Sequence, residues 1–197
     1  DALRADHVSA YGYERDTTPV LDGLAEEGVL FEQCISPSTW TRPVAASLLS
    51  GLYPLTHGTR GLEDAFNPPM PTLAEQFRAA GYETVGVGSM PNMQASWGFD
   101  QGFETYIDMF NDERVKELRS NARDDVPMTR AEDVSRGFLE WLSGRNEDKP
   151  FFGMLWSTET HSPYSPPEGF HNYVDSEYQG PVDGTPDSFT DVETKTD

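Results

Sequence analysis

The sequence of 197 residues contains one cysteine, Cys34, and only three lysines, Lys116, Lys149 and Lys195. A lone cysteine cannot close an internal disulfide, so the fold does not depend on an oxidising compartment. The 14 basic side chains face 34 acidic ones, for a formal net charge of −20. Such a chain has no basic footprint for nucleic acid and repels its phosphates. No apolar run approaches the length of a membrane span, and no signal peptide is visible. These absences tilt the expected location towards the cytoplasm. The start at Asp1, without an initiator methionine, makes upstream sequence an expectation. Excess acid with little lysine also fits a surface adapted to high salt, where screening removes the self-repulsion of a compact anion.

What is present can build a core: 36% of residues are hydrophobic and 12% aromatic. Residues 1–173 are expected to form the globular region. Residues 174–197, rich in Asp, Thr, Ser, Gly and Pro, read as a polar acidic loop or tail. There are no internal repeats. Helical and strand-like segments alternate, which predicts an α/β fold with a largely parallel sheet flanked by helices. Thr18 is expected to cap a helix with an apolar stripe of Val20, Leu21 and Leu24 that ends at Gly28. Residues 29–35 then read as a strand. Pro43 opens a helix over 44–50, and Thr72 with Glu75 forms a capping box for a helix ending at Gly81. Residues 82–87 read as a strand. Thr129 with Glu132 reads as a second capping box, for a helix to about Ser143. Residues 151–156 read as a buried strand, and 111–127 are charged and of no evident form.

In parallel sheets ligands bind beyond the carboxyl ends of the strands. Four places follow from that rule: Asp1, the 36–43 loop, the loop after Val87 and the loop after Trp156. Thr41 stands where a helix begins, among backbone N–H groups and the positive end of the dipole, a suitable place to bind an anionic ester. The plainer reading is that Thr41 only caps the helix. Asp1 is a sensible ligand for a hard cation or a solvated terminal acid. His161 is placed to protonate a leaving group or is a turn histidine pinned by Pro163. His57 reads as a structural loop histidine.

The order and spacing of these phrases resemble the sulfatase family of the alkaline phosphatase superfamily. They are Asp1-Ala2-Leu3-Arg4-Ala5-Asp6, Tyr11-Gly12, Thr18-Pro19 through Gly28-Val29-Leu30-Phe31, and Thr41-Arg42-Pro43. Then follow Leu48-Leu49-Ser50-Gly51, Pro54-Leu55-Thr56-His57-Gly58, Gly81-Tyr82-Glu83-Thr84, Gly98-Phe99-Asp100 and His161-Ser162-Pro163-Tyr164. The resemblance covers nearly everything from Asp1 to Phe170. It implies an ester hydrolase that uses a divalent cation (Ca, Mg, Mn or Zn) and a small anionic ester. Carried over by position, Thr41, Arg42 and His161 are the candidate catalytic residues, and Asp1 and Thr41 the candidate metal ligands.

Register excludes Cys34 as the nucleophile and assigns it to the incoming strand as a small buried hydrophobe. Thr41 occupies the place where sulfatases have the Cys or Ser that is oxidised to formylglycine, and an unmodified Thr resembles the phosphodiesterase and phosphotransferase branches. Ala45 stands for the signature arginine, Ala2 for the second Asp of the metal pair, and Gly88-Ser89-Met90-Pro91-Asn92 for a segment carrying Lys and His. The later segment with further metal ligands has no match. The fold is therefore expected to be incomplete at both ends, and this stretch alone inactive. An inactive relative used for binding is the alternative reading.

Overall fold

The computed structural model describes residues 2–113, 116–117, 129–161, 169–170, 173 and 177–178. The tail expected over 174–197 lies almost wholly outside them.

The centre is strand β1, Glu83–Gly88, whose residues are buried from Thr84 onward. Its alternation divides the core. Val85 and Val87 face one side, where Met109 and Val134 complete a cluster with Ile107, Phe138 and Trp141. Gly86 and Gly88 leave the other face flat, and aromatic rings fill the space. A Cβ on Gly86 would sit 2.6 Å from the Tyr106 ring, so glycine is required by close approach rather than by backbone freedom. Beyond those rings lies a second cluster of Ala45, Ala46, Leu49, Phe66, Ala74, Met93, Phe99 and Phe103.

Strands β2, Thr105–Asp108, and β3, Phe151–Trp156, flank β1 in the order β2-β1-β3, and both pair with it in parallel. Helices α2, Thr41–Ser50, and α4, Leu73–Ala79, cover the glycine face, and α5, Ala131–Gly144, covers the valine face. The expected parallel sheet between helical layers is therefore present. Helix α1 is Pro19–Glu27 and the short α3 is Pro54–His57.

The Thr72 capping box forms as expected: Glu75 N–H donates to Thr72 Oγ1 at 3.1 Å, and Thr72 N–H donates to the Glu75 carboxylate at 2.7 Å. The one proposed at Thr129 does not. Helix α5 takes Arg130 as its cap, with Arg130 N–H donating to Asp133 at 3.2 Å. Thr129 Oγ1 is buried without a hydrogen-bond partner among the described residues. Thr18 holds the N-cap position of α1, but its hydroxyl bonds Ser9 and Asp22 instead of the helix backbone.

Two further expectations fail. Residues 29–35 form no strand, because no described strand offers them a ladder of hydrogen bonds; Ile35 is 89% exposed and Cys34 is exposed as well. The apolar stripe of α1 is likewise open, with Val20 and Leu24 exposed. Strand β3 is where expected but only partly buried, since it has a neighbour on one side alone among the described residues. Strand β2 was not foreseen: its four residues are half-buried and recognisable only through their pairing with β1.

Candidate active site at the carboxyl edge of the sheet

The parallel register brings Gly88, Asp108 and Trp156 to one edge. From there the chain leaves β1 through Ser89 and Met90 and leaves β3 through residues 157–161. Ser89 Oγ ties the two exits together by donating to the Trp156 carbonyl at 2.7 Å. The first turn of α2 stands beside them. Between these parts lies a cavity of about 340 Å³, lined by Ala2, Leu3, Thr41, Met90 and residues 155–161.

Thr41 and His161 thus share one pocket. The helix at Thr41 starts earlier than the sequence predicts. Trp40 takes the N-cap position and Thr41 is the first residue of α2. Pro43 falls within the first turn, where its missing N–H costs no helical bond. Thr41 is buried, and its Oγ1 donates to Met90 Sδ at 3.7 Å. It does not serve as the helix cap, so the plainer reading of this residue fails.

The loop carrying His161 is braced from α5. Thr158 Oγ1 donates to the Thr129 carbonyl at 2.9 Å, and Glu159 accepts from Ala131 N–H at 2.8 Å. Arg130 approaches the same carboxylate at 3.5 Å. Inside the loop, His161 N–H donates to the Thr158 carbonyl at 2.8 Å. No motif in the sequence marks Thr158 or Glu159. Their role depends on a helix almost thirty residues upstream.

Arg42 is directed elsewhere. Its guanidinium stacks on Trp97 at 4.0 Å and donates to the carbonyls of Asn92 (3.2 Å), Asp64 (3.3 Å) and Leu62. Burial pushes its pKa down. It holds the 62–64 and 91–97 loops against the start of α2.

His57 does not line the pocket either. It is buried, accepts from Thr59 N–H at Nδ1 (3.1 Å), and has Nε2 3.0 Å from Ser47 Oγ. With Nδ1 engaged as an acceptor, the neutral ring carries its proton on Nε2. Desolvation lowers its pKa below 6.5, against a smaller opposing effect of the Pro43 carbonyl. The unfolded chain then binds the extra proton first. His57's contribution to stability is full above pH 6.5 and is lost as the pH falls towards the lower folded value. Urea melts at about pH 7.5 and about pH 5 check this: wild type should lose more stability on acidification than His57→Asn, which keeps an acceptor for Thr59 without a titrating ring.

The fit of a divalent cation can be judged from the donors. Among the described residues no group of three or more His, Cys, Asp or Glu side chains converges to hold a metal. The described pocket wall offers one carboxylate, Glu159, already bonded to α5; its other side-chain donors are the Thr41 hydroxyl, the hydroxyls of Ser157, Thr158 and Thr160, and the His161 ring. This set alone does not fit a hard cation. Asp1, the other candidate ligand, lies outside the described residues, although its neighbour Ala2 lines the pocket.

Comparison with known proteins decides the family, since the model of the sulfatase family matches residues 1–186. The chain belongs to the sulfatase family. This sulfatase-family chain is 26% identical to an N-acetylglucosamine-6-O-sulfatase of Bacteroides thetaiotaomicron, over 81% of this chain and 29% of that one. It is also 26% identical to an arylsulfatase of Clostridium perfringens, over 93% of this chain and 47% of that one. It therefore spans less than half the length of these curated relatives. In fold it is similar to the phosphonate monoester hydrolase of Agrobacterium radiobacter, with a TM-score of 0.65 and 23% identity over 86% of this chain and 41% of that one. A protein of the alkaline phosphatase superfamily from Vibrio parahaemolyticus gives a TM-score of 0.58 at 22% identity, over 91% and 42%. Among the described residues no helix is long and apolar enough to cross a membrane.

Proposed function

We propose that this sulfatase-family chain carries the nucleophile-bearing part of a hydrolase of sulfate or phosphate esters, with Thr41 as the nucleophile. The observation that supports it is the single cavity, at the carboxyl edge of a parallel sheet, that Thr41 and His161 both line. Thr41 Oγ1 loses its proton to solvent as it attacks the sulfur or phosphorus centre, and the bond from that centre to the leaving oxygen breaks as the new one forms. His161 gives the departing oxygen its proton. Water then attacks the same centre and gives one proton back to His161, the bond to Thr41 breaks, and the released Thr41 oxygen takes a proton from solvent. Arg42 serves this sequence indirectly, by fixing the helix start that presents Thr41. A divalent cation here requires Asp1 and further ligands besides Thr41, and no step above depends on one.

An unmodified Thr and the absence of the Lys- and His-bearing segment favour phosphorus esters. The full protein should turn over nitrophenyl phosphate, a nitrophenyl phosphodiester and a nitrophenyl phosphonate at least as well as nitrophenyl sulfate. Peptide mass analysis should find Thr41 unmodified. A sulfate ester turned over well ahead of all three, by a protein with intact Thr41, would remove the substrate preference. No turnover of any of the four would remove the hydrolase reading.

A further inference from the structure

A carboxylate on the wall of a pocket meant for an anion is unfavourable unless its charge is engaged elsewhere. Glu159 is such a residue. It lines the pocket of Thr41 and His161, and yet its two oxygens are turned to α5. One accepts from Ala131 N–H at 2.8 Å, and the other lies 3.5 Å from the Arg130 guanidinium. Helix α5 begins at Ala131, so the carboxylate meets an N–H that lacks an intrahelical partner and the positive end of the helix dipole. The adjacent Thr158 hydroxyl bonds the Thr129 carbonyl at 2.9 Å, a second bond between the same two segments. Two residues on stands His161, whose N–H closes back on the Thr158 carbonyl.

We propose that Glu159 is a positioning residue: its bond to the first turn of α5 keeps negative charge off the ester pocket and fixes the loop that holds His161 there. This rests on the hydrolase reading of the pocket. The bond also makes α5 and the His161 loop a single unit, so that loosening one loosens the other.

The test uses the full protein with Glu159→Ala and Glu159→Gln, the second keeping an oxygen acceptor for Ala131 without the charge. Three quantities are read: hydrogen exchange of the peptide covering 130–134, the rate at which diethyl pyrocarbonate modifies His161, and kcat/KM on the best nitrophenyl ester. Thermal melts confirm that both variants are folded. In Glu159→Ala, exchange should rise about 5- to 10-fold, as for loss of a helix cap. His161 modification should change in step, and kcat/KM should fall about 10-fold through misplacement of a reacting group. Glu159→Gln should return exchange and modification to within about twofold of wild type. Unchanged exchange and His161 reactivity in Glu159→Ala overturn the proposal. So do equal defects in the two variants, or an unaffected kcat/KM beside a displaced His161. If the wild type turns over none of the esters, the hydrolase reading falls, and exchange and modification still decide whether Glu159 holds the loop.

Discussion

Thr41→Val is expected to lower ester turnover by the full protein at least about 1,000-fold, the scale on which removal of a covalent nucleophile acts. Valine has nearly the shape of threonine, and Thr41 is only 4% exposed, so the packing of the first turn of α2 is retained. The hydroxyl's bond to Met90 Sδ is long at 3.7 Å, and its loss should cost no more than about 1 kcal/mol. A large loss of turnover with a small change in melting temperature therefore isolates chemistry from folding. Thr41→Ser restores the hydroxyl without the methyl group and should recover turnover to within about 100-fold of wild type. If Thr41→Val keeps wild-type turnover, the nucleophile lies elsewhere and the mechanism fails at its first step.

What could be read from the sequence was mostly local. The Thr72 capping box needs only residues three apart, and it forms as read. The Thr129 box had the same local form, but the start of α5 is satisfied by Asp133 and by Glu159, and the latter arrives from beyond β3. Residues 29–35 have the apolar, β-branched composition of a strand, yet composition supplies no partner, and none of the described strands pairs with them. Conversely β2 is too short and too mixed to announce itself, and only its register with Val85 to Gly88 makes it a strand. At the site, Thr41 and His161 stood out because they sit at element boundaries in a recognisable order. Their common cavity follows from the parallel register, which puts the exits of β1 and β3 on one edge, and from Met90 on the β1 exit, which meets Thr41 at the start of α2. Glu159 had no such signature, since it works through a contact made only in the folded chain.

Arg42 illustrates the same limit and yields the largest expected effect on stability. By sequence it belongs beside Thr41 as a candidate catalytic cation. In the fold it is 2% exposed, covered by the Trp97 ring and surrounded by carbonyls. Among the described residues no carboxylate comes within ion-pair distance of it. Glu63 and Asp64 act on it only as more distant charges, and they do not outweigh desolvation. A buried guanidinium is tolerable here because its planar fork satisfies several loop carbonyls at once. Arg42→Met fills similar volume but strands the carbonyls of Leu62, Asp64 and Asn92. These acceptors are at most part-buried, so each one stranded costs about 1 kcal/mol, offset in part by no longer burying a charge, and a net loss of about 2 kcal/mol is expected. For a chain of this size that lowers the melting temperature by about 6 °C. Arg42→Lys should fare little better, because one ammonium cannot span the Asn92 and Leu62 sides together or stack flat on Trp97. Thermal melts of the three proteins check the argument. Arg42→Met melting within about 2 °C of wild type would show that the loops hold themselves. If instead Arg42→Lys restored wild-type stability, positive charge rather than the fork would be what the site requires. With the fork lost, the start of α2 is released as well, so turnover should fall together with stability. That joint loss separates Arg42 from Thr41, whose replacement should remove turnover alone.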